Sequence, residues 1–293
     1  MLEVIAGMSG FDGLAIAVKA AGYALLLIAS GSVLCPLTVD GVPLKERRFL
    51  QRLAAAIAPV ALALIIARLM LEAVFLAGDD WAAALDPGLL ALVANGALGQ
   101  TLALQGLGMV LIVAGLIRGR TGAVLSVIGV LLIAVSFTMS GHVGGTAAWL
   151  DEVLLVVHML CLGFWVGVFL PLYRLSAQPG DAAAVVAEDF GRKAIGVVAV
   201  LVIAGLVTLN TLTGGLLAAL QTAYGQLFAA KLGVFVLVLW LAAINKRALT
   251  PALTHDRPGS GRAMRRSLTI EASAIALIVV ISATFTTVTG PGG

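Results

Sequence analysis

Two of the three histidines in this 293-residue chain lie in one stretch, residues 138–165, with a methionine and a cysteine beside them. Met139 and His142 are three residues apart, as are His158 and Cys161, so on a helix each pair shares a side. Asp151, His158 and Trp165 recur every seven residues, which at 3.6 residues per turn offsets each from the next by only about 20° and the outer two by about 40°. Between the two pairs runs Ser140-Gly-His-Val-Gly-Gly-Thr-Ala-Ala-Trp149, a glycine-rich turn with apolar sequence on both sides. Imidazole, thioether and thiol groups converging on a helical hairpin suit a soft metal ion. Met139, His142, His158 and Cys161 are the candidate ligands, with Asp151 and Trp165 as supporting residues on the same face. A plainer reading stays open for the second helix: a histidine satisfied by a neighbouring helix, and a cysteine packed as a small apolar group.

The elements that must hold these residues are membrane-spanning. Hydrophobic residues make up 61% of the chain and charged residues 11%, against about 25% charged in a typical soluble domain. Apolar runs of about 20 residues recur along its whole length, the length a helix needs to cross a bilayer. The runs predict an all-α, polytopic helical bundle of about eight spans: 14–36, 53–77, 89–117, 122–141, 150–173, 194–213, 226–246 and 267–289. Together they form a single transmembrane domain over residues 1–293. Pro36, Pro171 and Pro251 are expected at or just beyond helix ends. The first residues lack a basic segment and carry acids, so they do not read as a cleaved signal peptide.

The net charge of +3 has a membrane explanation and does not imply nucleic acid. Lys45, Arg47, Arg48 and Arg52 fall in the first connector, Arg118 and Arg120 in the third, and Arg174, Arg192 and Lys193 in the fifth. The seventh holds Lys246, Arg247, Arg257, Arg262, Arg265 and Arg266, besides the third histidine, His255. Only Lys19, Arg68 and Lys231 of the 18 basic residues fall inside spans. Asp79, Asp80, Asp86, Asp151 and Glu152 lie towards the opposite side. Basic connectors stay in the cytoplasm, so both termini are expected on the other side, together with Met139, His142 and Asp151. His158 then lies about 12 Å into its helix, Cys161 deeper, and Cys35 near the inner end of the first span. A series of soft ligands from outside to inside is a possible path for a metal ion.

The remaining charges in the spans are costly and face the interior of a bundle by default. Arg68 and Glu72, one turn apart, can pair with each other; the pair either locks two helices together or lines the path, for which Glu72 is the candidate. Lys19 and Lys231 are expected to reach outwards. Glu271, five residues beyond Arg266, is expected to answer the basic edge. Cys35 and Cys161 have no framework spacing, and no disulfide follows from them.

Ser140-Gly-His142, followed by His158, Trp165, Gly167 and Pro171-Leu, resembles the CopD (PcoD-type) copper resistance proteins of bacterial inner membranes. The stretch Thr222-Ala-Tyr-Gly-Gln-Leu-Phe-Ala-Ala-Lys231, then Asn245-Lys-Arg-Ala-Leu-Thr-Pro-Ala-Leu253, is similar to that family's seventh span and its exit. Arg266-Ser-Leu-Thr-Ile-Glu271 looks like its last helix. The resemblance covers essentially the whole chain. It implies a multi-pass protein of the inner membrane, termini periplasmic, that moves copper inwards and works beside a periplasmic copper-binding protein of the CopC type. His142 and His158 fall on the family's histidine positions. Cys161 stands where a small apolar residue is expected, so a ligand role for it would be particular to this chain. No amino-terminal copper-binding domain is expected.

Copper as Cu(I) suits imidazole, thioether and thiolate donors. No nucleotide-binding motif is present, so ATP-driven pumping within the chain is excluded, and no enzyme activity is expected. Two other readings stay open. Two histidines on adjacent helices could ligate one haem b, making the protein a membrane electron carrier. Alternatively, the protein could dock a periplasmic copper carrier without transporting anything.

Overall fold

A computed structural model describes residues 8–117, 119–139, 148–213 and 223–288. In lipid a backbone must satisfy its own hydrogen bonds, and among the described residues every regular element is helical. In chain order these are α1 (Gly10–Thr38), α2 (Leu44–Leu76), α3 (Pro87–Asn95), α4 (Ala97–Ala114), α5 (Arg120–Ser136), α6 (Ala148–Leu175), α7 (Ala182–Thr213), α8 (Ala223–Ile244), α9 (Thr250–Thr254) and α10 (Ser260–Val288). Asn245–Leu249, between α8 and α9, is a π-helical turn. Among the described residues seven helices are long and apolar enough to cross a membrane, and Arg120–Ser136 is a shorter apolar helix beside them. The architecture is a polytopic helical bundle.

Two boundary expectations need correction. The run 89–117 is two helices, not one. Asp86 caps α3 through Leu89 N–H at 2.8 Å, Pro87 opens it, and the backbone turns extended at Gly96. Gly96 closes α3 by donating to Val93 O and starts α4 by accepting from Gln100 N–H. A side chain at Gly99 would collide with the backbone of Ala94, so the sharp turn requires glycine there. The second correction is that α2, α7 and α10 begin well before the apolar runs do. Their first turns carry the basic residues, so these helices continue beyond the bilayer at one end. Pro36 and Pro171 likewise lie inside the last turns of α1 and α6.

That basic end is tied by ion pairs. Arg174 Nε lies 2.8 Å from Glu46 Oε2. Lys193 Nζ meets Asp189 at 2.6 Å and Asp40 at 3.1 Å, and Arg192 also pairs with Asp189. Asp40 N–H donates to Asp189, and Lys193 donates to the terminal Thr38 carbonyl of α1. The α1–α2 turn is thereby fastened to α7.

Helix α1 packs on α2 and α6 and also touches α10. Helices α4 and α5 cross where Gly108 and Gly129 meet. Helix α1 crosses α6 where a Cβ on Gly31 would stand 2.7 Å from Gly163 O and from the Gly167 backbone. Small residues four apart let membrane helices approach this closely. At the other end of α1, Lys19 Nζ donates to Thr286 O at 2.9 Å and to Thr287 Oγ1 at 3.3 Å. It thus binds the last turn of α10 and does not simply reach for water.

Candidate functional site

Helix α6 carries most of the candidate residues. Asp151 is buried in its first turn and is partnered. His158 is half-buried two turns on. Cys161 is half-buried and reduced, packed in a cluster with Trp165, Leu201 and Val238 that joins α6, α7, α8 and α10. Trp165 is 2% exposed. From Asp151 to Trp165 the helix rises about 21 Å, so this face descends most of the way through a bilayer core of about 30 Å. Lys231 of α8, half-buried, stands within electrostatic reach of His158.

Met139 lies in the exposed turn that follows α5. His142 lies outside the described residues. Helix α6 meets α5 through Met159 and Leu160, which line a small void with Ser30, Ile133 and Phe137. Cys161 and Trp165, in contrast, join the cluster with α7, α8 and α10. Among the described residues, no three of His, Cys, Asp and Glu stand close enough to hold one metal ion.

Cys35 is fully buried in an apolar cluster with Val39, Leu50, Phe164 and Val168. Glu72 is half-buried on α2, and with Arg68 it acts electrostatically on Lys19. Arg68 does not pair with Glu72 among the described residues. Its guanidinium stands 5.5 Å from the ring centroid of Tyr23 on α1. An aromatic face on the neighbouring helix attracts the cation, whereas a pair within one helix gains little.

The sequence reading of Glu271 is also corrected. It does not answer the basic edge: it is 1% exposed, and among the described residues it belongs to no ion pair. Trp165 Nε1 donates to Oε1 at 2.7 Å, and Asn245 Nδ2 donates to Oε2 at 2.8 Å. Trp165 therefore supports Glu271, on a helix 106 residues further along. Asn245 opens the π-helical turn, an irregularity frequent at functional sites. The available signal was the acidic residue itself in an apolar run, but nothing in the spacing names its partners.

Comparison with protein families decides the class. Residues 8–152 match the model for the copper resistance protein D-like, N-terminal domain, and residues 184–285 match that for copper resistance protein D. The chain belongs to the copper resistance protein D family. No curated protein and no solved structure matches it significantly. In this CopD-family protein the N-terminal match spans α1–α5 and reaches the first turn of α6. The other match spans α7–α9 and most of α10. Most of α6, with His158, Cys161 and Trp165, lies between the two matched segments.

Proposed function

We propose that this protein moves copper ions, as Cu(I), from the periplasm to the cytoplasm across the bacterial inner membrane, contributing to copper homeostasis and resistance. The observation that carries this reading is the face of α6. His158 and Cys161 stand one turn apart, half-buried, at a depth where imidazole and thiol suit a soft cation. Few ligands that exchange readily suit passage better than a closed cage. His142 and Met139, before α6, complete the entry set in this reading, and Asp151 guides the cation to it. The direction follows from the basic ends of α2, α7 and α10, which belong in the cytoplasm. We read the protein as a transporter and not an enzyme, supplied by a periplasmic copper-binding protein of the CopC type.

The experiment is copper uptake into sealed vesicles that contain this protein alone. Accumulation that depends on His158 supports transport. Binding of a copper carrier without accumulation would leave only a docking role. A visible haem spectrum from the purified protein would replace the copper reading with electron transfer.

A further inference from the structure

Glu271 presents a problem that the copper path does not use. Its carboxyl group lies on α10 five residues beyond Arg266, about 7.5 Å along the axis, so it sits about one turn inside the basic end of the span, buried at 1% exposure. An ionised carboxylate there needs a counter-charge or it tends to take up a proton. The charged groups on the elements packed against α10 are engaged elsewhere. Lys19 of α1 is bound to Thr286 and Thr287. Arg174 of α6 pairs with Glu46. Lys231 of α8 is within reach of His158. Beyond the π-helical turn's first residue, Lys246 donates to Gly191 O and Arg247 is exposed. On α10 itself Arg265 stands over the Tyr173 ring, and Arg262 and Arg266 are exposed. Glu271 is left with two neutral donors.

Those donors are arranged for both protonation states. The indole N–H and the Asn245 amide N–H hold the carboxylate, one on each oxygen. A neutral acid needs an acceptor for its O–H, and one is at hand. Among the described residues Asn245 Oδ1 is buried without a partner, and half a turn of the amide exchanges its nitrogen for that oxygen. The Ser267 hydroxyl, one turn earlier on the same face of α10, is likewise buried with no partner among the described residues. Burial favours the acid and the two donors favour the carboxylate, so the two influences oppose each other.

We propose that Glu271 is a proton-binding site buried just inside the basic end of the bundle, alternately carboxylate and carboxylic acid, with Asn245 changing from donor to acceptor as the proton arrives. The step adds one proton to a carboxylate oxygen and releases it again, with no other bond changed. The binding itself does not depend on copper being the cargo. Its coupling to copper movement rests on the transport reading.

Infrared difference spectroscopy of the purified full-length protein in lipid nanodiscs tests the site directly. A protonated-carboxyl C=O band should appear on acidification and be absent from Glu271→Gln. In Trp165→Phe the carboxylate loses a donor, so the band should persist to higher pH, with proton affinity raised about tenfold. A merely structural contact would leave the midpoint where it was. Absence of any band that Glu271→Gln removes, across the pH range in which the fold persists, overturns the proposal. So does competitive displacement of the proton by sodium, which would make this an alkali-cation site. Copper uptake into vesicles that also carry a pH-sensitive dye then separates the two claims. If the wild-type protein accumulates no copper while the infrared titration stands, only the transport reading fails.

Discussion

Arg174 Nε lies 2.8 Å from Glu46 Oε2, joining the last turn of α6 to the first turn of α2. Glu46 is 1% exposed, and the same guanidinium lies 3.9 Å from the Phe49 ring centroid. This residue therefore combines a forked donor with a planar cation. Lysine provides the charge without the fork or the plane. Arg174→Lys should destabilise the protein by about 1.5–3 kcal/mol, the range for a hydrogen bond to a charged group. Thermal unfolding in detergent measures it.

The glycine crossing of α1 and α6 gives a sharper contrast. Gly167→Ala would set a methyl group against the backbone of Gly31, and overpacking of this kind costs about 1–3 kcal/mol. A Cβ at Gly205, in α7, would meet nothing within 4 Å. There alanine should leave stability unchanged or raise it by up to about 1 kcal/mol through helix propensity. Equal effects of the two substitutions on the unfolding temperature would refute the close crossing.

Orientation can be read with single cysteines in a background free of Cys35 and Cys161. Asp80→Cys lies between α2 and α3, and Arg257→Cys between α9 and α10. A thiol reagent that does not cross membranes should label Asp80→Cys in intact cells with a permeabilised outer membrane. Arg257→Cys should react only after the inner membrane is disrupted. The reverse pattern would turn the molecule over and end the inward direction of transport.

His158 and Cys161 should differ in their effect on copper. His158→Ala should weaken copper binding at least tenfold. Combining it with His142→Ala should cost little more, because one remaining imidazole does not hold the ion. Additive losses would indicate two separate sites. Only the neutral ring binds metal, so binding should decline on acidification. Cys161→Ala should lower copper accumulation while the protein remains folded. Unchanged uptake would assign Cys161 to packing between α6 and its neighbours.

Much of the scaffold was legible in the chain. Apolar run length marks spans because a lone helix must cover the bilayer, and the basic residues mark one end of each. What was hidden depended on neighbours or on a local break. Gly96 looks like any glycine in an apolar run, where glycine is common, yet it ends one helix and begins another. Arg68 has Glu72 one turn away but turns to Tyr23, which a reading of one helix does not include. Trp165 aligns with His158 by period, while its hydrogen bond goes to Glu271. No periodicity relates residues so far apart in sequence, and only the fold brings Asn245 to the same carboxylate.

The contact of Gly31 with Gly163 and Gly167 also acts as a bulkhead. Backbone lies on backbone with no space for even one methyl group, so neither a hydrated ion nor a bare one with its ligands passes between α1 and α6 at that level. On the proposed transport reading, a cation descending from Asp151 would be confined to the opposite flank of α6, where Cys161 and Trp165 face α7, α8 and α10. On that reading the leak-tight seam and the conducting side would be two faces of one helix, and widening the first should make the membrane permeable without improving delivery of the cargo.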